Sequence, residues 1–149
     1  MRPKMFMHVV IAGAALFASG IAVGQRAATS KFDKYLHPSV RTEMDSIAFE
    51  TTVDLILGSL PYRDGLSIPK TTFDYKKNRL QARVLTSSDF EKAPLETVKA
   101  QIGGLYLLEY MHLKASIPEL SEDDFILNVN RGSNFQPFAE CRHGNIVFH

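Results

Sequence analysis

One cysteine, Cys141, stands alone in the chain, so no intramolecular disulfide can brace it and no cysteine-rich metal site can form. Tryptophan is missing, and so is any excess of charge: 17 basic residues meet 16 acidic ones, a formal +1. Such a chain sets up no global field to gather nucleic acid, and no nucleic-acid partner is expected. There is no internal repeat, no low-complexity tract, no phosphate-cradling glycine loop and no nucleophile elbow. Gly103-Gly104 is a lone pair that matches neither motif. Nothing in these absences calls for a cofactor, and none is expected.

What is present is ordinary globular material. The 149 residues are 45% hydrophobic and 22% charged, with ten Phe and five Tyr to fill a core. That size and composition suit one folded domain rather than a disordered chain.

The first 24 residues read as an export signal. Arg2 and Lys4 form a short positive head, Met5 to Val23 is almost wholly apolar, and Ala22-Val23-Gly24 places small residues where signal peptidase needs them. Cleavage before Gln25 leaves no cysteine at the new terminus to carry a lipid. The alternative is a retained anchor, since a run of about 19 apolar residues just suffices to cross a bilayer as a helix. The membrane enters only in that case. Without Arg2 and Lys4 the remainder holds 15 basic residues against 16 acidic ones. The expected organisation is a signal or anchor over 1–24, a linker or loosely docked arm over 25–38, and a single domain over 39–149.

Within that domain Ser39 is placed to cap a helix that Gly58 closes and Pro61 stops. Its apolar residues make two stripes: Val40, Met44, Ile47, Ala48 and Leu55 on one side, and Phe49, Val53, Ile56, Leu57 and Leu60 nearly opposite. Such a helix is covered on both sides or bent. Phe73 and Tyr75, a turn over Lys76 to Asn78, and then Leu80, Ala82 and Val84 alternate with polar residues as a hairpin with one buried face. Pro94 and Glu96 open a second helix with Leu95, Val98, Ile102 and Leu105 inward. The composition favours its continuing through Gly103-Gly104 to residue 113, the alternative being a strand over 105–113. An acidic loop at Glu119 to Asp124, a strand at Phe125 to Asn130 and a last hairpin turning at His143-Gly144 complete an α+β fold. In it an antiparallel sheet of two hairpins and one or two further strands packs against two helices. In element order alone, residues 39–130 resemble ferredoxin-like periplasmic modules of bacterial secretion and pilus machines.

Four residues could carry chemistry. Glu109 and His112 stand one helical turn apart, a metal-pair spacing, but a two-metal site needs a second such motif and zinc a third ligand. The commoner reading is a packing or surface pair. Cys141 and His143, two apart on a strand, could form a thiolate–imidazole pair. However, His143 adjoins a turn glycine, and Cys141 shares its strand face with Ala139 while Glu140 and Arg142 take the other, so the thiol is expected to point into the core. Ser121 to Asp124 lacks the alternating ligands of a calcium loop and is expected to be solvated. No metal is expected. Lys76, Lys77, Arg79 and Arg83 concentrate positive charge on one hairpin, the candidate partner-binding residues, with a solvated face as the plainer alternative. The expectation is a small exported, non-enzymatic domain working by contact with another envelope or extracellular protein. A membrane-anchored subunit of an envelope assembly, or a small secreted hydrolase or metal-binding protein, is the alternative.

Overall fold

The computed structural model describes residues 31–35, 43–61, 65–74 and 77–149. The leader, the Ser39 cap and Lys76 lie outside the described residues. Five strands, β1 (Lys70–Asp74), β2 (Arg79–Thr86), β3 (Phe125–Arg131), β4 (Pro137–Arg142) and β5 (Asn145–Phe148), form one sheet in that spatial order. The helices are α1 (Glu43–Gly58), α2 (Ser88–Lys92) and α3 (Leu95–Ser116). The fold is α+β, with three antiparallel strand pairs and one parallel pair, β2 with β3. That parallel pair departs from the antiparallel sheet expected. The long α3 carries the chain back to the end at which β2 began, and β3 then runs beside β2 in the same sense. A ferredoxin-like unit splits its parallel pair with another strand. Here the pair is adjacent, and the resemblance stops at element order.

Period-two alternation sorts the sheet into two faces. Thr71 and Phe73, Leu80, Ala82 and Val84, Phe125, Leu127 and Val129, and Ala139 and Cys141 share one face and are buried beneath the helices. Ile146 and Phe148 of β5 extend it. The hairpin at His143-Gly144 forms as the sequence suggests, with both turn residues at positive φ (53° and 75°), the geometry a two-residue connection demands.

Helix α3 runs unbroken through Gly103-Gly104, with Pro94 as its N-cap and Glu96 in its first turn. Val98, Ile102 and Leu105 face inward as expected, but Leu95 is 54% exposed, because at the first helical position it stands clear of the sheet. A Cβ added at Gly103 would meet only Ile146 Cδ1, at 3.9 Å, an ordinary contact. Gly103→Ala should therefore be neutral or raise stability by up to about 1 kcal/mol. A clear fall in melting temperature would contradict this packing.

Of the two stripes on α1, only one is covered. Phe49, Val53 and Leu57, with Leu60 just beyond, enter the core, while Ile47 and Leu55 stay exposed among the described residues. Burial on both sides therefore fails here, and the sheet takes one face of the helix only. The side chains of Val40 and Met44 lie outside the description. The core also reaches back into the segment expected to dock loosely. Phe32 is fully buried, its ring 5.9 Å from that of Phe49 and 5.5 Å from that of Phe73.

Two acidic residues of the 119–124 loop, Glu119 and Asp124, hold this segment in place; Glu122 and Asp123 are solvated as expected, and Asp124 is not. Tyr35 donates to Glu119 at 2.6 Å, Lys34 pairs with the same carboxylate and Lys31 with Asp124. The bond from Lys34, and then that from Tyr35, hold the Glu119 carboxyl down at about 2. Asp124, almost buried, also closes a capping box with Ser121, accepting from its backbone N–H and its hydroxyl at 2.7 Å each.

Candidate functional site

The described helices cover one face of the sheet, and the other face carries polar side chains in register. On β1 these are Lys70, Thr72 and Asp74, and on β2 Arg79, Gln81 and Arg83. Asn128 of β3, Glu140 and Arg142 of β4 and Asn145 of β5 continue it, and Leu85, Ile126 and Val147 are its apolar members. Gln81 and Asn128 are joined across the parallel pair, the Asn128 amide donating to Gln81 Oε1 at 3.0 Å. Ile126, beside Gln81, is 2% exposed although no described helix lies above it. The Nε atoms of Arg79 and Arg142 are buried and without hydrogen bonds, so both stems lie down on the sheet and shield apolar surface.

Ion pairs divide the cations of this region. Lys70 is held by Asp54 of α1 at 2.9 Å, Lys77 approaches Asp74 at 3.9 Å, and Arg142 meets Glu140 at 3.4 Å. Among the described residues, Arg79 and Arg83 take part in no ion pair. Of the four hairpin cations singled out in the sequence, then, two lie on the open face unanswered, one sits in the turn, and Lys76 is not described. Arg142 lies on the same face, the polar side of β4. Its placement beside β3 depends on the β3–β4 register, which no local pattern reveals.

The outer edge of β1 is closed by side chains. Thr71 N–H donates to Asp54 Oδ1 at 2.7 Å and Phe73 N–H to Glu50 Oε1 at 2.6 Å. Four residues advance a helix by about 6 Å, and two residues advance a strand by about 6.7 Å. Carboxylates at i and i+4 on α1 can therefore answer alternate outward N–H groups of the edge strand, leaving no room for another strand there.

The residues with chemical potential do not converge. Glu109 is fully buried on the inner side of α3 and neither carboxyl oxygen has a hydrogen bond; burial alone pushes its carboxyl up to about 8. His112 does not share that face: it is exposed, and its Nδ1 lies 2.9 Å from the Leu108 carbonyl. Cys141 is fully buried as expected, and desolvation raises its thiol to about 11. His143 is exposed at the turn, 3.0 Å from Asp123 and 3.6 Å from Glu122, and its backbone N–H donates to the Tyr106 hydroxyl at 3.1 Å. Neither pair is assembled for nucleophilic attack or metal binding. Among the described residues no three His, Cys, Asp or Glu side chains gather around a point.

One polar cluster escaped sequence reasoning altogether. At the C-terminal ends of the parallel strands, Thr86 donates to Glu91, and Arg131 meets the other Glu91 oxygen at 2.8 Å while lying 4.9 Å from the centre of the Phe138 ring. The Thr86 hydroxyl and then Arg131 hold the Glu91 carboxyl below its usual range. The beginning of α2 shelters a shallow hollow lined by Gly65, Leu66, Ser67, Leu85, Thr86 and Ser87. Three of its backbone donors are already spent, Ser87 on the Gly65 carbonyl and Leu85 on the Ser67 hydroxyl, both at 2.8 Å, and Ser67 on the Leu85 carbonyl at 2.9 Å. Comparison of the chain with models of protein families, with curated proteins and with solved structures finds no match.

Proposed function

We propose that this chain is a small exported, non-enzymatic domain that acts by contact with another protein of the cell envelope or the extracellular space. The contact is made across the uncovered sheet face. The observation that carries the reading is the outward row of β2, where Arg79 and Arg83 offer two guanidinium groups without ion-pair partners among the described residues. A planar guanidinium beside apolar surface suits carboxylates presented by a partner, so the complementary surface is acidic. Export rests on the positive head, apolar run and small-residue cleavage pattern of residues 1–24. The apolar run also supports a second form, in which the uncut leader tethers the same face to the membrane.

The test is fractionation of cells making the protein, followed by cross-linking in the fraction that holds it. Arg83 sits opposite Lys70, so Arg83→Glu trades a like-charge neighbour for an opposite one and should leave the melting temperature unchanged or slightly higher. Arg79 sits opposite Asp74, which makes Arg79→Gln the safer partner change. The double variant should lose the cross-linked adduct by about tenfold or more at low ionic strength, with the gap closing as salt is added. Recovery from the cytoplasm would contradict export. An adduct indifferent to both substitutions would reduce the arginine row to a solvated surface.

A further inference from the structure

The two edges of the sheet are not alike. That of β1 is closed by Glu50 and Asp54, whereas nothing among the described residues answers the edge of β5. We propose that the free edge of β5 is a self-association site, where a second copy of this chain adds its own β5 antiparallel about a two-fold axis through Val147.

The direction of the backbone groups follows from the hairpin. A two-residue turn makes Arg142 and Asn145 a mutually bonded pair, and the bond from His149 N–H to the Phe138 carbonyl at 3.0 Å continues the same parity. Asn145, Val147 and His149 therefore turn their N–H and C=O groups towards β4. Ile146 and Phe148 turn theirs away from the sheet. With Val147 on the axis, Ile146 of one copy stands opposite Phe148 of the other, and each such pair exchanges both bonds, so every outward group finds a partner.

The side chains fit the same operation. Asn145, Ile146, Val147 and Phe148 carry no charge, so no like-charged residues meet across the axis, and none of the lysines or prolines that usually guard an edge is present. Val147 is 59% exposed on the face away from the helices and would meet its own counterpart, while Ile146 and Phe148 meet on the helix side. That side already continues as apolar surface. Gly103 of α3 lies against Ile146, and one and two turns further on Leu107 and Met111 are 55% and 59% exposed. A two-fold interface needs one patch complementary to itself, and this edge is such a patch. Its occupant is thus a second copy, distinct from any acidic partner on the arginine face.

The experiment is mass determination in solution on the purified protein and two variants, Val147→Lys and Val147→Glu. The wild type should run as a dimer. Each variant places like charges side by side at the axis and should weaken dimerisation by at least about tenfold, while its circular dichroism stays unchanged because the side chain is exposed. Val147 sits opposite Glu140 on β4, so the monomer's melting temperature should hold or rise slightly with Val147→Lys and fall slightly with Val147→Glu, which makes Val147→Lys the decisive variant. Mixing the two in equal amounts should restore the dimer mass, since Lys then faces Glu. A wild type that is monomeric at the highest concentration reached overturns the proposal. So does a dimer whose mass survives Val147→Lys, or a mixture that stays monomeric.

Discussion

Glu109→Met should make the protein less sensitive to alkali, its stability advantage over the wild type growing by about 5 kcal/mol between about pH 4 and about pH 9. The carboxyl is pushed up to about 8 in the folded chain by burial, with neither oxygen bonded. In the unfolded chain it titrates near about 4.3. Between those values the folded state keeps a proton that the unfolded state sheds, so stability falls as pH rises through the window and levels off above the folded value. Methionine matches the shape of the glutamate without its charge and removes that slope. Below the window the variants should differ only by the cost of an unbonded neutral carboxyl, about 1–3 kcal/mol. Urea midpoints at about pH 4.5 and about pH 9 make the comparison. A difference between the two proteins that stays constant across that range would mean the carboxyl has a partner or water in solution.

Gly132→Ala should destabilise by about 3 kcal/mol or more. A Cβ at this position would lie 2.3 Å from the Thr86 carbonyl oxygen, the atom to which Gly132 N–H donates at 3.1 Å. Neither side can yield easily. Thr86 is paired with Arg131 at the end of the parallel ladder and bridged to Leu66 on its other side, and its hydroxyl is tied to Glu91. Relief would have to open the Thr86–Glu91–Arg131 cluster, so the loss should appear in thermal melts together with a weaker response to an Arg131→Ala change than the wild type shows. Gly103→Ala, whose Cβ meets open side-chain contact, is the matched control. Equal melting temperatures for the two alanine variants would show that the Gly132 backbone is not confined as described.

The local patterns were the legible part. Alternation over residues 79–86 and the turn at His143-Gly144 mark hairpins because a strand's faces repeat every two residues and a positive-φ turn has few tolerable residue types. The same period placed Cys141 inward. Helix α3 was legible through its formers despite two glycines, since propensity sums over a long window. What could not be read depends on which distant surfaces meet. Both stripes of α1 are apolar, and only the sheet decides that Val53 is buried and Leu55 is not. Phe32 looks like part of a polar arm until Phe49 and Phe73 receive it. Glu109 faces inward because the helix phase set by Ile102, Leu105 and Leu113 carries it there, against its own preference for water. At the candidate face, Arg79 and Arg83 were visible by alternation, while the absence of neutralising carboxylates was not, because Asp54 and Glu140 choose other cations only once the strands are in register.

The carboxylate clasp on β1 sets the valence of the whole sheet. A sheet with two receptive edges can propagate into an open ribbon of unlimited length, each added chain offering the next a fresh template. With Glu50 and Asp54 occupying the outward N–H groups of Thr71 and Phe73, the chain has at most one receptive edge. Whatever joins along β5 closes the series, and growth by strand addition terminates at a pair instead of a fibre.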